Sequence, residues 1–168
     1  DMRPWINRVL FPWGIALACG SGAMCLGAGI TWDGDGGNVS WNTPANWSDN
    51  QLPSNANDYT INVASGSNTT LDADFSIQKL GILVVGGSLT GGAGAPHTLT
   101  LNTGTGGVAL SMNVALLNYT IADDVNIVLT SNSVIYAANS NLTVAGVISG
   151  PGCSVTKTGG GFLTFLGT

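Results

Sequence analysis

Apolar and polar residues alternate in short runs along most of the chain after residue 57. Runs such as YTINV, HTLTLN and NIVLT are separated by Gly, Asn and Ser. Alternation with a period of two is typical of strands that have one face in a core, and Gly and Asn are typical turn residues. The pattern predicts an all-β chain built from many short strands.

The last part of the chain repeats itself. LTVAG at positions 142–146 returns as LTFLG at positions 163–167, an interval of 21 residues. In a β-solenoid each coil stacks on the one before at about 4.8 Å, so equivalent residues of successive coils lie above one another. The interval therefore predicts one coil, with Leu163 and Phe165 pointing inward and Thr164 and Leu166 outward. A β-sandwich is the alternative architecture for strands this short.

Three segments follow from the change of pattern along the chain. Residues 1–29 form an apolar, signal-like segment, and residues 30–56 form a cap segment rich in Trp, Gly and Asn. Residues 57–168 are predicted to form the solenoid coils, and the clearest repeat lies at 141–168.

Composition supports strands over helices and excludes one class of partner. Only 8% of the residues are charged, there is no Glu, and the cations are Arg3, Arg8, Lys79 and Lys157. Helix surfaces are normally built from Glu, Lys, Arg and Gln, which are scarce here. Nucleic-acid binding needs clustered Lys and Arg to neutralise phosphates, so nucleic acid is not expected as a partner.

The N-terminal segment has the layout of a secretory signal. Two arginines precede the apolar run VLFPWGIALAC, and small residues follow it. Export is therefore expected, and two fates of the segment stay open: cleavage, or retention as an apolar assembly segment. The candidate assembly residues are Trp5, Ile6, Val9, Leu10, Phe11, Trp13, Ile15 and Leu17.

Three tryptophans stand close together in the cap segment, at Trp32, Trp41 and Trp47. Large aromatic side chains can cover the apolar end of a first coil, as the ends of solenoids require. An aromatic platform can also stack on sugar rings. The sequence leaves both interpretations open and favours the cap.

The acids and the histidine offer little material for catalysis. Asp33 and Asp35 alternate in WDGDGG but lack the further ligands of a calcium loop, so we expect turn formers. Asp72 and Asp74 share one strand face, as the two members of an acid–base pair would, but solvated acids are expected. His97 has no evident Ser or Cys partner. We predict no catalytic residue, no bound metal and no cofactor.

The last 28 residues resemble a known repeat. VISGPGCSVTKTGGGFLTFLGT is similar to the autotransporter-associated β-strand repeat of secreted bacterial proteins, with its Ile-Ser-Gly, spaced glycines, lysine and alternating apolar residues. The matching positions are Ile148, Ser149, Gly150, Gly152, Val155, Lys157, Gly159, Gly161, Leu163, Phe165 and Gly167. The cap segment also resembles the segment that often precedes such repeats, at Trp32, Trp41, Asn46 and Trp47.

This resemblance implies a right-handed parallel β-helix and a secreted location, extracellular or on the outer surface of a bacterium. The leading functional hypothesis is a non-catalytic structural protein that associates with copies of itself into a fibre, sheath or adhesin. A carbohydrate-binding module that uses the tryptophans and recognises surface glycans is the first alternative. A polysaccharide-degrading β-helix enzyme is the second.

Overall fold

The computed structural model describes residues 29–62, 68–83 and 86–167. This part of the chain contains thirteen strands and one short 3-10 helix, Pro44–Asn46. The strands are β1 Gly29–Trp32, β2 Asp58–Asn62, β3 Asn68–Leu71, β4 Phe75–Ile77, β5 Lys79–Leu83, β6 Gly87–Gly91, β7 His97–Leu101, β8 Gly107–Ile121, β9 Val125–Leu129, β10 Ser133–Val144, β11 Ile148–Ser149, β12 Val155–Thr158 and β13 Phe162–Phe165.

The strands stack as the coils of a right-handed parallel β-helix, the fold that was predicted. Side one of each coil is formed by β1, β2, β5, β8, β10 and β12, and side two by β3, β6, β8, β10 and β13. Side three is a separate sheet of β4, β7, β9 and β11. All pairs between these strands are parallel, which a β-sandwich of antiparallel hairpins would not produce.

The repeat seen in the sequence is one coil. Leu142 pairs with Leu163 and Val144 pairs with Phe165 in the register of β10 and β13. Leu142 and Val144 are fully buried, so the residues stacked above them lie on the inward face of the coil. The predicted inward direction of Leu163 and Phe165 is confirmed.

Inward rows of apolar residues fill the bore. On side three, Phe75, Leu99 and Ile127 lie above one another, and Ile148 continues the row. The row beside it faces outward and carries small or β-branched residues, which suit a pleated surface. Burying each large apolar side chain contributes about 1.5–3 kcal/mol, so the stacked rows are the main source of stability.

The polar residues at the corners link one coil to the next. Asp74 Oδ1 accepts a hydrogen bond from the backbone N–H of Thr98, with an N–O distance of 2.7 Å. Asn126 Oδ1 accepts one from the backbone N–H of Val147 at 3.1 Å. These side chains satisfy backbone donors at places where the strand ladders are interrupted. The abundance of Asn and Asp in the turns follows from this demand.

The signal-like segment, apart from Gly29, lies outside the described residues, and so do the candidate assembly residues within it. In the ranges that the structure covers, no helix has the length and apolar character needed to cross a membrane.

Candidate functional site

The N-terminal end of the stack is closed by a cluster of aromatic rings. The ring of Trp47 lies 5.1 Å from each of the rings of Trp32, Trp41 and Tyr59, and each pair meets edge to face. Such geometry is the preferred one for aromatic pairs. All four side chains are buried. The tryptophans therefore cover the first coil, and their burial leaves no indole face exposed for stacking on a sugar ring.

Hydrogen bonds close the outer strand edge at the same end. Trp47 forms an antiparallel bridge with Trp32 of β1. The backbone N–H of Ser48 donates to the carbonyl of Thr31 at 2.9 Å, and the N–H of Thr31 donates to the Ser48 hydroxyl at 3.0 Å. The donor and the acceptor of Thr31 that face away from β2 are thus both used. We call this region, residues 29–50, the closed end.

Asn46 organises the turns of the closed end. Its buried side-chain amide donates to Asn38 Oδ1 and to the carbonyl of Ser40, each at 2.9 Å. Its Oδ1 accepts the backbone N–H of Gly36 at 2.9 Å. Both amide hydrogens and the amide oxygen therefore have partners. The resemblance pointed to position 46, but the sequence pattern did not predict this buried role of Asn46.

Asp72 attaches the closed end to the second coil. Its carboxylate accepts hydrogen bonds from the Ser40 hydroxyl and from the backbone N–H of Asn42. Asp74 contacts the next coil instead. Its Oδ1 accepts a hydrogen bond from the backbone N–H of Thr98 and lies 3.7 Å from the ring Nδ1 of His97. The two carboxylates are thus engaged with different neighbours. Their contacts favour structural roles over an acid–base pair.

Asp33 and His97 also have local partners. Asp33 Oδ1 accepts the backbone N–H of Asp35 at 3.3 Å, which is the bond of a turn-forming aspartate. The ring Nε2 of His97 lies 3.2 Å from the carbonyl of Ala93. Within the ranges described, no group of three or more His, Cys, Asp or Glu residues is placed to hold a metal ion.

One buried group has a shifted acidity. Burial raises the pKa of the Tyr119 hydroxyl well above its ordinary value, because the phenolate would lose its solvation. The neighbouring Thr69 hydroxyl lowers the same pKa by a smaller amount. Tyr119 faces the bore of the solenoid, so this group contributes to the core.

The C-terminal end of the described chain carries exposed apolar residues on its last coil. Phe162 is 73% exposed, Phe165 is 50% exposed and Leu166 is 61% exposed. Among the described strands, none pairs with the outer edges of β11, β12 or β13. We call this region, residues 146–167, the open end.

A cavity of about 300 Å³ lies beside β11 at the open end. β12 and β13 supply sides one and two of the last described coil, and no described strand supplies side three above β11. The cavity is lined by Gly146, Ile148, Val155, Phe165 and Gly167. Its walls thus come from the free side of β11 and from the two corners beside it.

The glycines of the repeat motif allow neighbouring coils to approach closely. A Cβ on Gly161 would come within 2.0 Å of the carbonyl oxygen of Ser140 in the coil below. Gly159 has a positive φ of 84°, and the Lys157 ammonium donates to its carbonyl. Gly150, Gly152 and Gly167 complete the set of motif glycines on the same coil. These residues have conformational and packing roles, which explains their spacing.

The described residues form a parallel β-solenoid with a closed N-terminal end and with C-terminal strand edges that no described strand pairs with. No protein-family model, curated protein or solved structure matches the chain. The likeness to the autotransporter-associated repeat therefore depends on the residues of the sequence alone.

Proposed function

We propose that the chain is a non-catalytic structural protein, secreted to a bacterial surface, whose solenoid joins copies of itself into an extracellular fibre, sheath or adhesin. The observation that carries this proposal is the open end, where exposed aromatic and aliphatic side chains lie beside strand edges that no described strand pairs with. Secretion is supported by the signal-like layout of residues 1–29 and by the resemblance of the C-terminal repeat.

The open end has the two features that a contact through an added strand needs, which are backbone hydrogen-bonding groups and apolar side chains. Free edges offer backbone donors and acceptors to an added strand. Full burial of a large apolar side chain contributes about 1.5–3 kcal/mol to the free energy of association, and the open end exposes three of them, Phe162, Phe165 and Leu166. The cost of bringing two molecules together reduces this gain. A further strand that packs on these side chains would therefore gain both hydrogen bonds and apolar burial.

The contacts of the described residues favour a structural role over the two alternatives. A sugar-binding platform would need an exposed indole face, whereas the three cap tryptophans are buried. A glycan-degrading site would need free carboxylates at one groove, whereas Asp72 and Asp74 accept hydrogen bonds from separate parts of the backbone. A structural role is the function that these contacts support best.

The closed end restricts how two copies can meet. A strand of a neighbour could pair with β1 only by displacing the Ser48 bonds to Thr31. The contact therefore uses the open end of one copy and a segment of the next copy that lies outside its own coils. The apolar arm, defined as residues 5–17 and outside the described residues, is the segment that we propose.

The proposal is tested by sedimentation velocity of the full chain over a range of concentrations. We expect concentration-dependent association that is lost in the variants Phe165→Asp and Leu166→Asp, because a carboxylate at the open end opposes apolar burial. Val39→Asp and Leu52→Asp are matched controls, since Val39 is 51% and Leu52 is 44% exposed but neither lies at the open end. A wild-type chain that stays monomeric, or open-end variants that associate normally, would overturn the proposal.

A further inference from the structure

The outer edge of β1 is covered by a segment that runs in the opposite direction. We call this segment, residues 46–50, the strap. Its Trp47 forms an antiparallel bridge with Trp32 of β1, whereas the ladders between the described strands are all parallel. Next to this bridge, Ser48 bonds to both the donor and the acceptor of Thr31. The strap therefore takes the place of an antiparallel strand on β1.

The strap does not pass the free edge on to its own outer side. In the bridge with β1, the backbone N–H and carbonyl of Trp47 face away from β1. The N–H donates to the carbonyl of Pro44 at 3.0 Å, and the carbonyl accepts the N–H of Asn50 at 2.8 Å. Local turns thus use both groups that another strand would need. An edge without free backbone groups does not template the pairing of a further chain.

Asn50 makes the turn that closes the strap. Its φ of 55° lies in the left-handed region, where it is the one non-glycine residue among those that the structure describes. Asparagine tolerates this conformation, which returns its N–H to the carbonyl of Trp47. Glycine adopts the same conformation without a steric cost, whereas proline is held at negative φ and has no N–H. Position 50 therefore allows the turn to be kept or broken by single substitutions.

The rest of the closed end is attached to side two. Ser40 forms a parallel bridge with Thr70 of β3, and Asp72 accepts hydrogen bonds from Ser40 and from Asn42. None of these contacts uses the edge of β1. Release of the strap would therefore uncover side one of the first coil and leave the contacts on side two in place.

We propose that the strap is an autoinhibitory contact, which keeps β1 from pairing with β1 of a second copy. The strap is antiparallel to β1, so the pairing that it blocks is antiparallel as well. Two copies of one edge pair in this way when a two-fold axis relates them. Thr31 of each copy would then exchange both of its bonds with the other. Gly29–Trp32 carries no charge that would oppose this pairing.

The blocked contact would change the assembly that the chain can form. A two-fold contact joins two copies and stops there, whereas a head-to-tail contact can continue from copy to copy. The strap thus excludes a closed dimer at the closed end. This inference goes beyond the proposed function, because it concerns a different edge and holds whether or not the open end associates.

The experiment compares Asn50→Pro with its matched control Asn50→Gly in the full chain. Both variants also carry Phe165→Asp and Leu166→Asp, so that any contact through the open end is removed. We expect sedimentation velocity to give a dimer, and no larger species, for Asn50→Pro. Its dimer dissociation constant should be at least about tenfold lower than that of Asn50→Gly. Ser48→Pro, which removes both bonds to Thr31, should dimerise in the same way.

Hydrogen exchange locates the contact and checks the fold. In dilute Asn50→Pro, the Thr31 amide should exchange at least about tenfold faster than in Asn50→Gly, because its partner Ser48 is released. The same amide should become protected again in the dimer. The amides of β7 and β9 should keep their protection throughout, since those strands pair with other coils.

Four outcomes would overturn the inference. The first is that both proline variants stay monomeric although β7 and β9 remain protected. The second is that Asn50→Gly dimerises as strongly as Asn50→Pro. The third is a dimer in which the Thr31 amide stays unprotected, because the contact would then lie elsewhere. The fourth is loss of protection in β7 and β9 in both proline variants, which would make the strap a part of the core fold. A wild-type chain that stays monomeric would reject the proposed function and leave this comparison valid.

Discussion

The two ends of the solenoid carry similar side chains in opposite environments. At the closed end, Trp32, Trp41 and Trp47 pack edge to face inside the core, and Ser48 occupies the outer edge of β1. At the open end, Phe162 and Phe165 lie at the surface beside edges that none of the described strands pairs with. Aromatic residues at the first end contribute to the stability of the single chain. Those at the second end contribute little to it, and they are the side chains that the proposed self-association would cover.

The largest expected effect is a loss of stability when an aromatic ring is removed from the closed end. Trp47→Ala should lower the free energy of unfolding by about 3–5 kcal/mol, because the lost ring leaves a cavity between three aromatic neighbours. Urea denaturation measures the loss. A loss below about 1 kcal/mol would mean that the cluster is not a stabilising part of the closed end.

A smaller effect tests whether hydrogen bonding also distinguishes the closed end. Asn46→Ala should cost about 2–3 kcal/mol, since it leaves buried partners of the amide unsatisfied. Asn42→Ala is the control, because the Asn42 side chain is exposed and its backbone N–H to Asp72 is retained. Equal midpoints for the two variants in urea would contradict the role given to Asn46.

The smallest effect is expected at the open end. Phe162→Ala should change the unfolding free energy of the monomer by no more than about 0.5 kcal/mol, because the ring is 73% exposed. The measurement is made by urea denaturation at a dilution where sedimentation gives a monomer. A cost comparable to that of Trp47→Ala would remove the difference between the ends.

The repeat was sufficient to predict the coil and the direction of its side chains. LTVAG and LTFLG are one coil apart in the sequence. Their leucines, Leu142 and Leu163, therefore lie in one inward row. For the Trp-rich segment, the sequence left a sugar-binding platform open and favoured a cap, since the apolar end of a stack must be covered. These features depend on local pattern and on burial, which a single sequence records.

Other features could not be predicted because they depend on which coil lies next to which. Asp72 accepts bonds from Ser40 and Asn42, about 30 positions earlier in the chain, and only the stacking brings them together. β8 and β10 run through sides one and two without a break, with register shifts along their pairing. Asn46 is of a residue type that is common in exposed turns. Its buried position follows from the surrounding turns, which the sequence pattern does not reveal.

The closed end also has a consequence for the order in which the chain can fold. Each coil pairs only with its immediate neighbours, and the cap segment stands at the beginning of the coils in the sequence. A chain that emerges from the ribosome with its N-terminus first can therefore complete the closed end before the later coils are made. Every later coil then pairs with a coil that is already folded, so synthesis and folding can advance together from the N-terminal end.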